Sequence, residues 1–263
     1  MITTSNTPNL PGWLDLGSPD PAASAAFYRK VFGWTSEAAA GDEQNEDMGE
    51  YLLLSKDGKV VAGLGGLQSA KEQSEWTVYV RVPDIDAAAQ TAASLGGAVR
   101  APAMKVGSEG SLAQLTDATG AKFALWQPGE FTGFGRACED DSLLWIELYT
   151  RDTAAAKRFY GEVFGWQTEA YSMPEGAYDM WTTNPGVGTD AFGGMMQISP
   201  DMPIQTELWV PYFMVADTDA TIARALEAGG EVLMPAVDAP PGRLAALTDQ
   251  FGAHFNLLKP APM

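Results

Sequence analysis

The chain repeats itself at a spacing of about 132 residues, and this repeat restricts its fold more than any other feature of the sequence. The repeat appears as FYRKVFGW at 27–34 and FYGEVFGW at 159–166, and again as LTDATGAKFAL at 115–125 and LTDQFGAHFNL at 247–257. Because internal similarity of this extent marks repeated structural units, the sequence predicts a duplicated domain.

A Gly-rich and acidic stretch separates the two halves around 128–142. Stretches of this composition are typical of linkers between domains. We therefore predict a first domain over residues 1–130, a linker over 131–143 and a second domain over 144–263. A further acid-rich stretch, 37–51, is predicted to be a solvated loop or an excursion between strands.

Each half contains two related units, and each unit has a strand, a helix and three further strands. In the first unit a strand at 13–18 is followed by Asp20, a preferred N-cap residue, and by Pro21, which is favoured in the first helical turn. The helix has apolar residues at helical spacing and stops at Gly33, because glycine readily adopts the left-handed conformation. The same order of strand, helix and three strands recurs in the other units, which predicts four βαβββ units and an α+β fold.

The chain is strongly acidic, with a net charge of −18 and a pI near 4.2. Since cationic side chains supply most of the affinity for nucleic acids and anionic membranes, this charge argues against both partners. The N-terminal MITTSNTPNLPGW lacks the basic start and apolar stretch of a signal peptide. The single cysteine, Cys138, rules out an internal disulfide. We expect a cytoplasmic protein, a monomer or a homodimer, whose partner is a small-molecule ligand or substrate.

Four βαβββ units of this kind resemble the vicinal oxygen chelate superfamily, which includes glyoxalase I, extradiol dioxygenases, and fosfomycin and bleomycin resistance proteins. The resemblance covers essentially the whole chain, and its most specific elements are the strand–Asp–helix–FYxxVFGW segment and the V-x-D-x-D-A helix start. The doubled arrangement is similar to that of two-domain actinobacterial glyoxalase-like proteins, among them auxiliary proteins of anthracycline biosynthesis. The resemblance implies two tandem glyoxalase-like domains with cup-shaped mixed sheets, in which the ligand lies inside the cup.

Members of this superfamily usually bind a divalent metal in the cup through His, Glu or Gln on the first and last strands of each unit. Counting back about fifteen residues from Tyr28 and Tyr160 to the usual first-strand position gives Trp13 and Trp145. Indole nitrogen has no lone pair to offer a metal, and the chain has one histidine, His254. We therefore expect no metal site and no cofactor.

Aromatic residues dominate the positions that the resemblance assigns to the ligand site. Trp76 and Trp209 stand at the first-strand positions of the second units, and Ala124 and Asn256 stand on the closing strands. The tryptophans either plug the cups by packing or line an apolar cavity and stack on a flat ligand. The residues predicted to bind ligand are Trp13, Trp76, Trp126, Trp145, Tyr149, Trp209 and Asn256.

Two carboxylates share strand faces with these aromatic residues. Since residues two apart on a strand face the same side, Asp15 lies beside Trp13, and Glu147 lies beside Trp145. Each carboxylate pairs with a ligand cation, acts as a general acid or base, or only bonds the backbone of its own sheet. His254 is a further candidate proton carrier, or else a residue at an exposed strand start. The catalytic candidates are therefore Asp15, Glu147 and His254.

The sequence favours metal-independent binding of a small, flat organic molecule, cationic or neutral, in the sheet cups. Such a protein would serve drug resistance or the biosynthesis of secondary metabolites. The alternative is a metal-free lyase, isomerase or hydroxylation partner that acts on a polyketide-like substrate with a carboxylate as acid or base. Glyoxalase-type metal catalysis ranks last, because fold alone does not carry function and the ligand positions lack suitable donors.

Overall fold

The structure is a computed structural model that describes residues 1–39, 51–69, 71–173, 176–186 and 190–262. Most of the acid-rich stretch predicted to be a solvated loop, 40–50, lies outside the described residues. The first half of the chain contains β1 (Pro11–Ser18), α1 (Pro21–Phe32), β2 (Thr35–Ala38), β3 (Leu52–Lys56), β4 (Lys59–Gly66), β5 (Glu75–Arg81), α2 (Ile85–Ser94), β6 (Ala98–Val106), β7 (Gly110–Thr116) and β8 (Lys122–Pro128).

The second half repeats this order of elements. It contains β9 (Ser142–Thr150), α3 (Thr153–Phe164), β10 (Gln167–Met173), β11 (Gly176–Thr182), β12 (Gly193–Gln197), β13 (Leu208–Met214), α4 (Thr218–Glu227), β14 (Glu231–Ala239), β15 (Gly242–Thr248) and β16 (His254–Pro260). The order βαβββ therefore occurs four times, and the predicted α+β fold is confirmed.

The strands form two mixed sheets of eight strands each. Their orders are β2-β3-β4-β1-β5-β8-β7-β6 and β10-β11-β12-β9-β13-β16-β15-β14. Within each βαβββ unit the first strand pairs in parallel with the last, as β1 does with β4 and β13 with β16. The remaining pairs within a unit are antiparallel. A parallel pair needs a crossover, and the helix of each unit supplies it.

The helices begin and end where the sequence predicts, for local reasons. Each starts after an aspartate whose carboxylate accepts the backbone N–H three residues on, which satisfies one of the unpaired donors of the first turn. These N-cap residues are Asp20, Asp84, Asp152 and Asp217. Gly33 and Gly165 end α1 and α3 in the left-handed conformation, with φ of 72° and 74°.

By its internal contacts the chain divides into two compact units. Unit 1 comprises residues 1–12, 78–133 and 145–210. Unit 2 comprises residues 13–77, 134–144 and 211–263. Unit 1 thus combines most of the second and third βαβββ repeats, and unit 2 most of the first and fourth. The predicted domain boundaries at 130 and 144 stay a prediction. Among the described residues, no helix is both long and apolar enough to cross a membrane.

The core of unit 2 is organised around the phenol of Tyr28, which is fully buried. Its hydroxyl accepts a hydrogen bond from Trp76 Nε1 (3.1 Å) and donates one to Asp249 Oδ2 (3.2 Å). Its ring stacks on Trp34, with centroids 5.5 Å apart, and Trp34 Nε1 donates to the carbonyl of Asp141 (2.8 Å). Burial is the main reason that the pKa values of Tyr28 and Asp249 are raised.

The core of unit 1 has the same arrangement around Tyr160. Its hydroxyl accepts from Trp209 Nε1 (2.8 Å) and donates to Asp117 Oδ2 (2.9 Å). Trp166 stacks on the phenol at 5.2 Å and donates from Nε1 to the carbonyl of Asn9 (2.6 Å). The FYxxVFGW repeat therefore supplies a buried phenol and an indole that closes over it in both units.

The LTD repeat supplies the carboxylates that receive these phenols. Each aspartate also accepts backbone N–H groups of its own turn, so its charge is held by several donors at once. The donors to Asp117 Oδ1 are the N–H groups of Thr119, Gly120 and Ala121, and those to Asp249 Oδ1 are the N–H groups of Phe251 and Ala253. In each unit, the FYxxVFGW repeat thus supplies the donor and the LTD repeat the acceptor of a buried hydrogen bond.

We predict that Tyr160→Phe lowers the free energy of unfolding by about 1–3 kcal/mol, because it leaves the indole N–H of Trp209 without its acceptor and takes a donor from Asp117. Tyr28→Phe should have an effect of the same size. Urea unfolding followed by circular dichroism measures the change. Tyr171→Phe is the matched control, since that side chain is 42% exposed. Equal losses in all three variants would contradict the assignment.

Candidate functional site

A cluster of three polar aromatic and acidic side chains lies on the face of β1 that points away from α1. Leu14, Leu16 and Ser18 face the helix, where Ser18 Oγ lies 2.8 Å from Ser24 Oγ. Their neighbours on β1 therefore face the opposite side. There Trp13 Nε1 donates to the hydroxyl of Tyr51 (3.0 Å), which donates to Asp15 Oδ2 (3.4 Å). These three residues form the Trp13 cluster, which belongs to unit 2.

Unit 1 holds a matching group on β9, the Trp145 cluster. Trp145 Nε1 donates to the hydroxyl of Tyr178 (3.1 Å), and this hydroxyl donates to Glu147 Oε2 (3.3 Å). Glu147 is 2% exposed, whereas Trp145 and Asp15 are half-buried. Both clusters thus contain an indole, a phenol and a carboxylate in the same hydrogen-bonding order.

Glycines on the fourth strand of each repeat make room for these phenols. Asp15 pairs in register with Gly63, and Glu147 pairs with Gly194. A Cβ on either glycine would overlap the hydroxyl of Tyr51 or Tyr178. Gly63 and Gly194 are therefore explained by the tyrosine that lies across each strand.

The tyrosines of both clusters are neutral donors at physiological pH. Burial, followed by the nearby charge of Asp15, raises the pKa of Tyr51 well above its usual value. Burial and then the charge of Glu147 do the same for the pKa of Tyr178. Each cluster consequently presents a carboxylate whose negative charge is supported by a phenol, next to the flat face of an indole. This arrangement suits a ligand with a hydrogen-bond donor or a cationic group beside a flat apolar part.

The structure separates the four first-strand tryptophans into two kinds. Trp13 and Trp145 lie in the clusters, whereas Trp76 and Trp209 point into the cores and donate to the core tyrosines. The four positions are therefore not equivalent, contrary to the prediction from the sequence, because one pair bonds the cluster tyrosines and the other pair bonds the core tyrosines. Packing is favoured for Trp76 and Trp209 because their N–H groups bond core tyrosines, whereas exposure does not separate the two kinds, since Trp13 is as buried as Trp76, at 4%. Trp126 is 5% exposed and donates from Nε1 to the carbonyl of Phe131 (3.1 Å).

The remaining candidates lie on β9 and β16. Tyr149 is half-buried and two residues from Glu147, so it shares a face with the Trp145 cluster. Asn256 is 2% exposed and pairs with Tyr212 in β13. His254 is half-buried and pairs with Thr248 in β15. Burial lowers the pKa of His254, so its imidazole is the neutral form at pH 7.

Tyr51 and Tyr178 are site residues that sequence reasoning missed. Their positions differ by 127 residues, so they do not align at the spacing of about 132 that relates the other repeats. A signal was present in the glycines of GLGG and FGGM, because a glycine inside a strand often marks the close approach of another group. A bulky polar residue on the neighbouring strand is the expected reason for that approach.

The residues at the family's metal-ligand positions do not fit a divalent metal. The one polar side-chain atom of Trp13 and of Trp145 is an N–H that donates to a phenol, and the Ala124 side chain on β8 has no ligand atom. Asn256 on β16 offers a single amide oxygen. In the part of the chain that the structure describes, no three His, Cys, Asp or Glu side chains are grouped so that they could hold a metal ion.

We predict that Gly194→Ala displaces the Tyr178 ring from Trp145 and Glu147. The added methyl group overlaps the hydroxyl, and overpacking of this kind costs about 1–3 kcal/mol of unfolding free energy. Urea unfolding measures the cost, and a crystal structure of the variant shows the ring position. Gly66→Ala is the control, since a Cβ there meets no atom within 4 Å. An unmoved ring in the Gly194 variant would contradict the described contact.

We predict that His254 titrates below pH 6.5, which a single imidazole resonance in an NMR pH titration can show directly. Because the folded-state pKa is lowered, the unfolded chain binds more protons between the two values. Stability should therefore fall as pH drops from about 6.5 towards the folded-state pKa. His254→Gln should remove this part of the pH dependence. A His254 pKa of 6.5 or above in the NMR titration would contradict the buried position of this side chain.

Comparison with known proteins gives concordant results for both halves. A model described as the glyoxalase/bleomycin resistance protein/dioxygenase superfamily matches residues 142–257, and a glyoxalase-like domain model matches 13–126. CFP32 of Mycobacterium tuberculosis, named as a candidate glyoxylase, is 34% identical over 260 residues, which cover 96% of this chain and 95% of that protein. The anthracycline biosynthesis protein DauV of a Streptomyces species is 34% identical over 273 residues, with 97% and 95% covered.

The fold is also similar to that of solved structures. The 2,2',3-trihydroxybiphenyl 1,2-dioxygenase of Sphingomonas wittichii has a TM-score of 0.64 at 14% identity, with 96% of this chain and 91% of that chain covered. At this identity the likeness concerns the fold alone. The two model matches and the full-length relatives agree with the four βαβββ repeats described above. The chain therefore belongs to the glyoxalase/bleomycin resistance protein/dioxygenase superfamily and carries two glyoxalase-like domains.

Proposed function

We propose that the protein binds a small, flat organic molecule without a metal at the Trp13 and Trp145 clusters. The observation that carries this proposal is the repetition of one arrangement, an indole bonded to a phenol bonded to a carboxylate, in both units. Each cluster combines an aromatic face for stacking with a buried or half-buried acceptor for one polar group of the ligand.

Charge favours a ligand that carries a cation or a hydrogen-bond donor. The carboxylate of Asp15 is half-buried beside the indole of Trp13, so a ligand that reaches it leaves bulk water. Hydrogen bonds to an ionised group in such a setting are stronger than those between neutral groups. The net charge of −18 adds a long-range attraction that raises the rate of encounter with cations.

The names of two relatives support a ligand of this class. DauV and DnrV, which are 34% and 33% identical to this chain, are named as anthracycline biosynthesis proteins. Anthracyclines are flat polycyclic molecules with an amino sugar, which matches an aromatic face beside a carboxylate. We therefore propose a role in secondary-metabolite biosynthesis or in drug resistance, in the cytoplasm.

A metal-free enzyme is the second candidate, and the geometry of Glu147 favours it. This carboxylate is 2% exposed and accepts from the neutral phenol of Tyr178. A buried carboxylate beside a phenol is a pair that can accept a proton from a polyketide-like substrate and return it. Lyase, isomerase or hydroxylation-partner activity would rest on such a transfer.

Isothermal titration calorimetry of EDTA-treated protein with an anthracycline, an aromatic amine and a neutral polyketide tests the proposal. We expect saturable binding that Trp13→Leu or Trp145→Leu weakens by up to about tenfold, since aromatic pairing contributes about 0.5–1.5 kcal/mol beyond area burial. Leu226→Ala, at a 51% exposed position on α4, should leave binding unchanged.

Two further measurements distinguish a binding protein from a metal-free enzyme. Mass spectrometry of the incubated ligand detects turnover, and Glu147→Gln should abolish it while binding persists if the protein is an acid–base enzyme. Zn²⁺, Ni²⁺ and Mn²⁺ are titrated in parallel. Stoichiometric metal binding accompanied by activity, with no organic ligand bound to the metal-free protein, would overturn the proposal.

A further inference from the structure

A pocket of about 310 Å³ in unit 2 concentrates positive charge in a strongly acidic protein. It lies at the C-terminal end of α1 and is lined by Arg29, Lys30, Lys56 and Arg224, with Asp141 as the carboxylate in its lining. The whole chain has 16 Lys and Arg against 34 Asp and Glu, so a quarter of its cations line this one pocket. We call it the basic pocket. The Trp13 cluster lies on the opposite face of β1, which separates the two sites.

Two of the cations are held in place by the end of the helix. Lys56 Nζ donates to the carbonyl of Phe32 (2.8 Å) and pairs with Asp141 Oδ2 (2.7 Å). Arg224 Nε donates to the carbonyl of Val31 (2.8 Å). These contacts neutralise the partial negative charge of the helix end, which would otherwise repel an anion.

The other two cations are left to face the pocket. Lys30 is in contact with Glu227, whose side chain is 69% exposed, through Nζ to the carbonyl (3.0 Å) and to Oε2 (3.4 Å). Exposed ion pairs of this kind contribute little and are easily exchanged. The side chain of Arg29 lines the pocket, and no hydrogen bond or ion pair joins this side chain to any residue that the structure describes. Its guanidinium therefore offers planar donors to a ligand.

The second half of the chain tests an alternative, which is that these cations serve only to stabilise the C-terminal end of a helix. The last turn of α3 has no basic residue, yet α3 has the same length as α1 and ends at Gly165 with the same backbone bond to the carbonyl four residues back. The repeat places Gly161 at the position of Arg29, Glu162 at that of Lys30 and Thr91 at that of Arg224. The fold therefore does not require the cations.

We propose that the basic pocket is a binding site for a phosphate group, either as the free ion or as the ester of a small molecule. Its volume is at the lower end of the range for small-molecule sites, which leaves room for an organic part beyond the phosphate. Arg29 binds the phosphate oxygens through its guanidinium fork, and Lys30 contributes charge. This site is additional to the aromatic clusters and does not depend on the function proposed for them.

Isothermal titration calorimetry with inorganic phosphate and with phenyl phosphate, at constant ionic strength set by sodium chloride, tests the proposal. We expect saturable binding, tighter for phenyl phosphate if the natural ligand is an ester and tighter for inorganic phosphate if it is the free ion. Arg29→Gln should weaken binding on the order of tenfold, the usual effect of losing a hydrogen bond to a charged group.

Arg158→Gln is the matched control, because it makes the same charge change on the exposed surface of α3 in the other unit. It should leave the affinity unchanged. Absence of saturable binding, or equal weakening by Arg29→Gln and Arg158→Gln, would overturn the proposal in favour of general charge screening. Since the anthracycline titration uses other residues, failure of one site leaves the result for the other intact.

Discussion

The buried phenols of Tyr28 and Tyr160 are the interaction on which the rest of the structure depends. Each accepts an indole N–H and donates to a carboxylate that is also held by the backbone of its own turn. A buried polar network of this kind stabilises a fold only when every member is satisfied. Because the phenol comes from the first helix of a half and the carboxylate from the turn of a closing hairpin, one hydrogen bond joins a helix to a hairpin distant in sequence. The aromatic cluster around each phenol then excludes water from that bond.

Much of this fold could be predicted from the sequence, because its signals are local or repeated. Asp20 and Gly33 show the start and the end of a helix through the chemistry of its ends. The repeated motifs give the duplication, and strand alternation correctly places Trp13 beside Asp15. The pairing of Tyr28 with Asp249 was out of reach, since the two lie 221 residues apart and no local rule connects the two motifs. The two kinds of first-strand tryptophan were missed for a related reason, because a one-residue shift in register moves a side chain to the other face.

The two halves preserve their cores and differ where a ligand would bind. Both keep the phenol, indole and carboxylate of the core, and both build a second group of the same chemistry on the opposite face of the sheet. There the carboxylate is Asp15 in one unit and Glu147 in the other, half-buried in the first and 2% exposed in the second. The basic pocket occurs at the end of α1, while the last turn of α3 has no basic residue. Duplication has therefore given the protein two similar scaffolds on which binding surfaces have diverged.

The two units can form at different times while the chain is synthesised on the ribosome. The segments of unit 1 end at residue 210, so Tyr160 can meet Asp117 while synthesis continues. Unit 2 needs residues 211–263, and Tyr28 must wait for Asp249, which is synthesised 221 residues later. Contacts between residues so far apart in sequence form slowly, because a long loop must close before they contribute. The aromatic face of α1 is thus the surface that a nascent chain leaves uncovered longest, and there a chaperone would have the most to protect.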